Sequence, residues 1–206
     1  MRTARGVFCL ALALSCLATV AAAEEGFKPL FNGKDLTGWT YDKALWSVDD
    51  GMIVGSTEKK KLTHNSFLAT EKSYKNFVLK IKFKLRNGNS GVQIRSKLHE
   101  DYRVTGYQPD IAESRFTGIL YEEGGRGILA DVKQEEAAKH FDRKGWNEYV
   151  ITCDGPHIKQ ELNGFTTVDY TEKSDKGAKE GIIALQLHVG PPMKIWFKDI
   201  QIKELP

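Results

Sequence analysis

The chain has 206 residues, of which 28% are charged, and its formal net charge is +3. This length is sufficient for one domain with a substantial buried core. The near-neutral charge argues against a nucleic-acid or anionic-membrane partner, because such partners require a concentrated basic surface.

Residues 1–23 have the pattern of an export signal. Two arginines precede an apolar run over residues 7–20, and three alanines come before Glu24. This pattern predicts a secretory signal peptide whose apolar part is too short to anchor the chain in a bilayer. A lipoprotein signal cleaved before Cys16 is the alternative. We therefore expect a periplasmic or extracellular protein without a membrane span.

Removal of this signal leaves residues 24–206, which are 183 residues with a formal charge of +1. Cys153 is the one cysteine that remains, so an intrachain disulfide cannot form. It lies on the apolar side of a predicted strand, which favours a small core residue over a nucleophile. No repeat, low-complexity tract or linker interrupts this part of the sequence, which predicts a single domain.

A period of two dominates residues 24–206 and predicts β-strands. Residues 77–86 alternate apolar and basic side chains, which is typical of an antiparallel strand with one solvated face. Turn residues at 49–51 and 163–164 predict hairpins. The one helical pattern covers Val132 to His140, and the opening segment 29–39 is expected to pair near the C-terminal strand. These features predict an all-β jelly-roll sandwich of two antiparallel sheets with one short helix.

Three strand-like runs carry polar side chains at alternate positions, over residues 88–95, 106–113 and 118–127. Adjacent placement in one sheet would gather amides, a guanidinium and carboxylates on one surface. A solvated outer face is the alternative interpretation. Pro109 cannot donate to a sheet ladder and so suggests an edge strand or a bulge.

Two further segments extend this set of polar groups. In residues 182–188, Gln186 and His188 alternate with aliphatic side chains, which predicts the floor of a concave polar site. The alternative is that His188 has no functional role and only caps the edge of the sheet. The loop at residues 122–126 adds two glutamates and Arg126. Adjacent strand residues point to opposite faces, so at most one of these glutamates is expected to face the site.

Six short motifs occur in an order that resembles the 3-keto-disaccharide hydrolase domain family. The resemblance covers nearly all of residues 24–206. It implies a concanavalin A-like lectin/glucanase fold, export by bacteria that degrade glycans, action on sugars oxidised at C3, and a functional link to a sugar 3-dehydrogenase. The motifs are LFNGKDLTGW at 30–39, NSG at 89–91 before Arg95, GYQ at 106–108, WN at 146–147, LNG at 162–164 and GIIALQLH at 181–188.

Residues 108–113 (QPDIAE) are similar to the Glu-x-Asp-Ile-x-Glu core of jelly-roll retaining β-glucanases. In that core the first Glu is the nucleophile, and retention requires two carboxyl groups about 5 Å apart. Here the first position is Gln108, which disfavours an ordinary glycoside hydrolase. A lectin-like carbohydrate-binding module is the other alternative, because fold does not imply function. Aromatic side chains expected to be exposed could then stack on sugar rings: Trp39, Tyr41, Tyr102 and Tyr107.

A 3-keto glycoside can be cleaved by elimination and hydration. The C3 carbonyl acidifies the hydrogen at C2, so a base can remove it, and the enolate expels the C1 substituent before water adds back. We predict His188 and Asp110 as the base and the acid, in either order, with Glu123 as the substitute. The predicted substrate-binding residues are those that could hold hydroxyls or an oxyanion: Arg95, Gln93, Tyr107, Gln108, Gln186 and Arg126.

The sequence predicts a carbohydrate partner and no cofactor. The five histidines lack the paired spacing of a metal motif. A divalent cation held by Asp110, Glu123 and His188 stays open as an alternative, as does a calcium ion that stabilises a loop.

Overall fold

The computed structural model describes residues 25–206, so the predicted signal peptide and Cys16 lie outside the described residues. In chain order the elements are β1 (Lys28–Pro29), β2 (Trp39–Thr40), β3 (Trp46–Asp49), β4 (Met52–Ser56), β5 (Ser66–Tyr74), β6 (Phe77–Arg86), β7 (Asn89–Leu98), β8 (Val104–Ala112), β9 (Leu120–Glu123), β10 (Gly127–Ala130), α1 (Gln134–His140), β11 (Asn147–Asp154), β12 (His157–Leu162), β13 (Phe165–Thr171), β14 (Gly181–Leu187) and β15 (Lys194–Glu204). No helix within this range is long and apolar enough to cross a membrane.

The strands form two antiparallel sheets. The first sheet has the order β13-β12-β11-β6-β15-β4-β3, with β1 also paired to β15, and the second has the order β10-β9-β8-β7-β14-β5-β2. This architecture confirms the predicted all-β sandwich with one short helix. The expected pairing of segment 29–39 with the C-terminal strand is also present at its start, because Pro29 lies opposite Gln201 and the Leu30 N–H donates to the Ile200 carbonyl oxygen at 2.9 Å.

The core lies between the two sheets and follows from the period of two. On β6, Leu79, Ile81 and Phe83 are fully buried while the lysines between them are only half-buried. Val92 and Leu185 from the second sheet belong to the same buried cluster. Full burial of one such aliphatic or aromatic side chain contributes about 1.5–3 kcal/mol. Cys153 is part of this core, as predicted, and burial raises the pKa of its thiol to about 12.

The hairpin turn that the sequence predicts at residues 163–164 is present. Asn163 and Gly164 have φ angles of 48° and 81° between β12 and β13. Two consecutive left-handed residues form the tight turn that matches the twist of a hairpin. The helix begins two residues later than Val132, because Lys133 at its N-terminus has an extended ψ of 111°.

The prediction of an edge strand or a bulge at Pro109 is wrong. Pro109 lies in β8, which pairs with β7 on one side and with β9 on the other. The irregularity in the β7–β8 pairing falls between Ile94 and Lys97 instead. Each residue of an antiparallel strand directs its one backbone N–H to one neighbouring strand. A proline therefore removes one inter-strand hydrogen bond, and the other hydrogen bonds of β8 hold the strand in place.

Candidate functional site

The outer face of the second sheet carries most of the polar side chains that the sequence singled out. The register aligns Gly91 with Asp110 and Gln93 with Ala184, so their side-chain positions share one face of β8, β7 and β14. The other face of these strands packs into the core. We call the outer surface the polar face; it comprises Asn89, Gln93, Gln108, Asp110, Glu123, Gln186 and His188.

A chain of hydrogen bonds on the polar face ends at Asp110. The Ser96 hydroxyl donates to Gln93 Oε1 at 2.6 Å, and Gln93 Nε2 donates to Gln108 Oε1 at 2.7 Å. Gln108 Nε2 then donates to Asp110 Oδ1 at 2.5 Å. Each donor points toward the carboxyl group, and successive bonds of this kind polarise one another.

Gly91 makes this arrangement sterically possible. A Cβ at position 91 would lie 2.6 Å from Cγ and Cδ of Gln108. Any side chain there would push Gln108 away from Asp110. The glycine of the NSG motif therefore permits the close approach of a neighbouring side chain.

Asp110 is a buried carboxyl group that favours its protonated form. Its side chain is 4% exposed. Burial and the nearby charge of Glu123 raise the pKa of Asp110 to about 8, although the hydrogen bond from Gln108 lowers it in part. At neutral pH Asp110 is therefore mainly a proton donor.

Asn65 connects the carboxylate of Glu123 with the loop after β14. Its Nδ2 donates to Glu123 Oε1 at 3.0 Å, and its Oδ1 accepts from the Val189 N–H at 2.9 Å. Gln186 Nε2 makes a longer contact of 3.5 Å with Glu123 Oε2. Sequence reasoning missed Asn65, because a single Asn before a strand forms no recognisable pattern.

His188 directly follows β14 on the polar face. Its Nδ1 lies 2.5 Å from the Val189 carbonyl oxygen, which can only accept. Nδ1 therefore carries the hydrogen, and Nε2 presents a lone pair when the ring is neutral. Because β8 and β14 flank β7, Asp110 and His188 lie on strands about 10 Å apart across the sheet.

Three cavities include residues of the polar face. One, of about 430 Å³, is lined by Glu123 together with Arg95, Tyr107 and Arg126. The other two lie near the loop that follows β14. The larger one has a volume of about 980 Å³ and is lined by Asn65, Phe67 and Glu123 together with the tip of the β7–β8 hairpin. The smaller one has a volume of about 410 Å³ and contains Asn89 and His188. Val189 lines both, so the cavities meet at the loop that follows β14. Volumes of this order suit small-molecule ligands.

Two amide oxygens on the polar face are buried without a hydrogen-bond partner. They are Asn89 Oδ1 and Gln186 Oε1. Buried polar atoms are nearly always paired with protein or ordered water. Trp46 Nε1 and Gln160 Oε1, which lie outside the polar face, are unpaired in the same way, so an unpaired acceptor alone does not identify a ligand site. Asn89 belongs to the NSG motif, but the sequence did not predict it as a binding residue, although it continues the alternation of Gln93 and Gly91 along β7.

Three predicted substrate-binding residues lie away from the polar face, at one end of the sandwich. The Arg95 guanidinium donates to the carbonyl oxygens of Lys75 and Gly155 and to Asn76 Oδ1. This placement corrects the expectation that Arg95 shares a surface with Gln93. The cause is local: Arg95 has a φ of 46° at the point where the strand register shifts.

Tyr107 and Arg126 are held in the same region by Glu172. The Tyr107 hydroxyl donates to Glu172 Oε2 at 2.8 Å, and the Arg126 guanidinium binds both Glu172 and Glu122. Arg126 holds the pKa of Glu172 far below its usual range. We call this group the end cluster; it comprises Arg95, Tyr107, Glu122, Arg126 and Glu172.

The expectation of exposed aromatic platforms is wrong for two of the four side chains. Trp39 is 5% exposed and Tyr107 is 1% exposed, because both belong to the core. Tyr41 and Tyr102 are half-buried. Between residues 25 and 206, no three His, Cys, Asp or Glu side chains are grouped as metal ligands would be, so Asp110, Glu123 and His188 do not form such a set.

Comparison with solved structures places this fold among carbohydrate-related proteins. A proposed glycosyl hydrolase from Parabacteroides distasonis has 25% identity and a TM-score of 0.66, over 88% of this chain and 95% of that chain. Carbohydrate-binding module 66 from Bacillus subtilis has 16% identity and a TM-score of 0.63, over 82% and 96% of the two chains. A Bacillus subtilis protein of unknown function with a galectin-like fold has 13% identity and a TM-score of 0.65, over 86% and 94%. The last two likenesses show the fold alone.

A search of the curated proteins returned no match. The family model described as a 3-keto-alpha-glucoside-1,2-lyase-like domain matches residues 26–203, which is nearly all of the described chain. Together with the glycosyl hydrolase-like structure, this match indicates a carbohydrate-active or carbohydrate-binding protein. The chain belongs to the 3-keto-alpha-glucoside-1,2-lyase-like family, the 3-keto-disaccharide hydrolase family that its sequence motifs resemble.

Proposed function

We propose that this protein cleaves the glycosidic bond of 3-keto-glycosides by elimination followed by hydration. The observation that carries the proposal is the placement on one face of Asp110, a buried carboxyl group that keeps its proton near neutral pH, and His188, which lines a cavity of about 410 Å³. Elimination from a 3-keto sugar requires a proton donor and a base, and it requires no nucleophile. Gln108, in the position of the glucanase nucleophile, is compatible with this chemistry.

The acid in this scheme is Asp110 and the base is His188. His188 Nε2 accepts the proton from C2, and the C2–H electron pair forms the enolate of the C3 ketone. The C1–O bond then breaks as the C1=C2 double bond forms, and the leaving oxygen takes the proton of Asp110. Acid–base catalysis by positioned groups typically contributes about 10²–10⁴-fold in rate.

Hydration returns both groups to their starting states. Water adds its oxygen to C1 while Asp110 takes the released proton, and protonated His188 returns a proton to C2. The net change is the addition of one water molecule across the glycosidic bond. A separation of about 10 Å between the two strands leaves room for a pyranose ring between acid and base.

Gln186 and Glu123 support the reaction from the same face. The Gln186 amide is fully buried and contacts Glu123 at 3.5 Å, so its part in this scheme is to position Glu123. Glu123 lines the larger cavity, and its charge helps to keep the proton on Asp110.

To test this mechanism, the protein is incubated in D₂O with a glucoside and, separately, with its 3-keto counterpart. Elimination predicts turnover of the keto form alone and one deuterium at C2 of the product, above the exchange measured without protein. Turnover of both substrates without deuterium at C2 would support an ordinary glycoside hydrolase and contradict the proposal.

A lectin-like carbohydrate-binding module is the second candidate. The cavity of about 410 Å³ beside Asn89 and His188 favours it, because a cavity of this size suits a sugar ligand whether or not a reaction follows. Binding of the keto sugar without any product would support this candidate.

Two broader parts of the proposal concern cellular context. We propose that residues 24–206 are exported, on the basis of the sequence pattern of residues 1–23. We also propose that a sugar 3-dehydrogenase supplies the substrate, because a 3-keto sugar arises by oxidation of the hydroxyl at C3.

A further inference from the structure

We infer that the outer face of the first sheet binds an acidic polysaccharide, whose carboxylate or sulfate groups pair with lysines on that face. This inference goes beyond the proposed reaction and does not depend on it, because the polar face belongs to the other sheet. We call this second surface the basic face; it comprises Lys82, Lys84, Arg86, Trp146, Lys194, Trp196 and Lys198.

The basic face follows from the alternation of β6 and β15. The residues of β6 between the core positions are basic at its second half, and β15 presents Lys194, Trp196 and Lys198 on the same side. Trp196 lies directly opposite Lys84. Trp146 precedes β11, the strand on the other side of β6, and the register of that pair brings it beside Lys84. The two tryptophans therefore flank Lys84 across three neighbouring strands.

The indole rings hold basic side chains over their faces. Lys198 Nζ lies 4.2 Å from the centroid of the Trp146 ring, and Lys194 Nζ lies 4.9 Å from that of Trp196. The Arg86 guanidinium also lies over Trp196, at 5.6 Å. A ring restricts the position of a cation but carries no net charge, so the positive charge stays available to a ligand. Cations that are already held in position lose little conformational freedom on binding.

Three ammonium groups of the basic face have no carboxylate partner. Within residues 25–206, no ion pair involves Lys84, Lys194 or Lys198. The other two cations of this face are paired, with Asp199 and Glu58. The three unpaired lysines are only half-buried, so an anion can reach them from solvent. An acidic ligand would therefore neutralise charge that the fold leaves uncompensated.

The density of charge on this face suits a polysaccharide better than a nucleic acid. Duplex DNA carries one negative charge about every 1.7 Å along its axis. The lysines of the basic face stand on strands about 4.8 Å apart. Carboxylates also lie among them, since Glu148 lies opposite Lys82 and Asp199 binds it. A dense polyanion would meet these acids, whereas a polysaccharide with one acidic group in each ring or pair of rings carries sparser charge.

The basic face lacks the apolar side chains that a lipid surface would bury. Binding to a lipid surface combines electrostatic attraction with burial of apolar side chains. Among residues 25–206, the exposed large hydrophobic side chains are Phe116, Ile128 and Val189, and none of them belongs to the first sheet. An acidic polysaccharide therefore fits this face better than an anionic membrane.

Three dextrans that share one backbone test the inference: neutral dextran, carboxymethyl-dextran and dextran sulfate. We expect the wild type to bind at least one acidic form and not the neutral one, and the form that binds more tightly identifies carboxylate or sulfate as the recognised group. Replacing the three unpaired lysines together should raise Kd about three- to a hundredfold, because each exposed ion pair contributes about 1.4- to fivefold. The substitutions are Lys84→Gln, Lys194→Gln and Lys198→Gln.

A matched control removes the same charge elsewhere. It replaces three exposed lysines at the end of the sandwich that form no ion pair within residues 25–206, and it should leave Kd nearly unchanged. These substitutions are Lys75→Gln, Lys173→Gln and Lys179→Gln. A single variant, Trp196→Leu, retains every charge and should weaken binding about two- to fivefold, because the ring no longer holds Lys194 and Arg86.

Three results would overturn the inference. They are the absence of binding to both acidic dextrans, equal losses in the two triple variants, and tighter binding to duplex DNA or to phosphatidylserine vesicles than to the acidic dextrans. Equal losses would mean that overall charge, and not this face, attracts the polymer. None of these measurements requires turnover, so a failure of the proposed reaction would leave their outcome unaffected.

Discussion

The end cluster and the polar face use similar residue types but differ in how their polar atoms are satisfied. In the end cluster, the Arg95 guanidinium has three protein acceptors, and Arg126 has two carboxylates. On the polar face, two amide oxygens have no partner and the Asp110 carboxyl group is buried beside another acid. The guanidinium groups of the end cluster are thus bonded within the protein, although cavities of about 430 and 400 Å³ border them, while two acceptors of the polar face have no donor.

This difference separates a structural role from a binding role. A satisfied buried polar group stabilises the fold, whereas a buried acceptor without a donor costs about 1–3 kcal/mol. The two unpaired oxygens of the polar face carry this free-energy cost in the free protein, and a ligand that brought hydrogen-bond donors to them would remove it. Arg95 and Gln93 lie on one strand and both are buried with their side-chain polar groups hydrogen-bonded, but only Gln93 is connected to Asp110.

The largest expected effect belongs to Asp110→Asn. The amide cannot give up a proton, so we expect kcat/KM for a 3-keto-glycoside to fall about 10²–10⁴-fold. Steady-state kinetics measure the loss. Asp169→Asn is the matched control, because the Asp169 side chain is 67% exposed on β13 of the other sheet, and it should retain activity.

The same variant has an expected effect on stability. The pKa of Asp110 is about 8 in the folded protein and about 3.9 in an unfolded chain, so the wild type loses unfolding free energy as the pH rises from about 4 to about 8. Asn does not titrate. The melting temperature of Asp110→Asn relative to wild type should therefore increase over this pH range. A relative melting temperature that falls with pH would show that Asp110 is charged in the fold.

A second large effect is expected from Arg95→Met, and it tests the end cluster. The variant leaves three acceptors without their donors, so we expect the unfolding free energy to fall by about 3 kcal/mol or more. Urea unfolding measures the change, and Arg103→Met on the surface should change it little. If Arg95→Met remained stable and lost sugar binding, Arg95 would belong to the functional site after all.

The alternation of side chains explains how much of the site could be predicted. The period of two is a local property, so it predicts that Gln93, Gln108 and Gln186 share one face of the sheet. The same rule failed for Arg95, because a positive φ and a register shift rotate its side chain away. The fold was predictable for the same reason: turn residues and alternation repeat along the whole chain.

Contacts between distant segments could not be predicted. Glu123 meets Asn65 and Gln186, which are 58 and 63 positions away in the sequence. No local pattern encodes such contacts, because they depend on which strands become neighbours in the sheet.

A smaller effect is expected from Glu123→Gln. The charge of Glu123 helps to raise the pKa of Asp110, so its removal should lower that pKa and shift the alkaline limb of the kcat/KM profile to lower pH. Glu122→Gln is the matched control, because Glu122 binds Arg126 instead. An alkaline limb that stays in place in Glu123→Gln would mean that Asp110 does not set it.

The smallest expected effect comes from removing one hydroxyl group in each region. Tyr107→Phe deletes the bond to Glu172 in the end cluster, and it should lower the unfolding free energy by about 0.5–1.5 kcal/mol without changing kcat/KM. Tyr149→Phe deletes a hydrogen bond to the backbone carbonyl oxygen of Asp110. It should lower stability and also reduce kcat/KM, because this hydrogen bond helps to position the residue that donates the proton. Thermal unfolding and steady-state kinetics on the two variants compare the same chemical change in both regions. An equal loss of activity in Tyr107→Phe would place the substrate at the end cluster, because the Tyr107 hydroxyl bonds to Glu172, which is not part of the polar face.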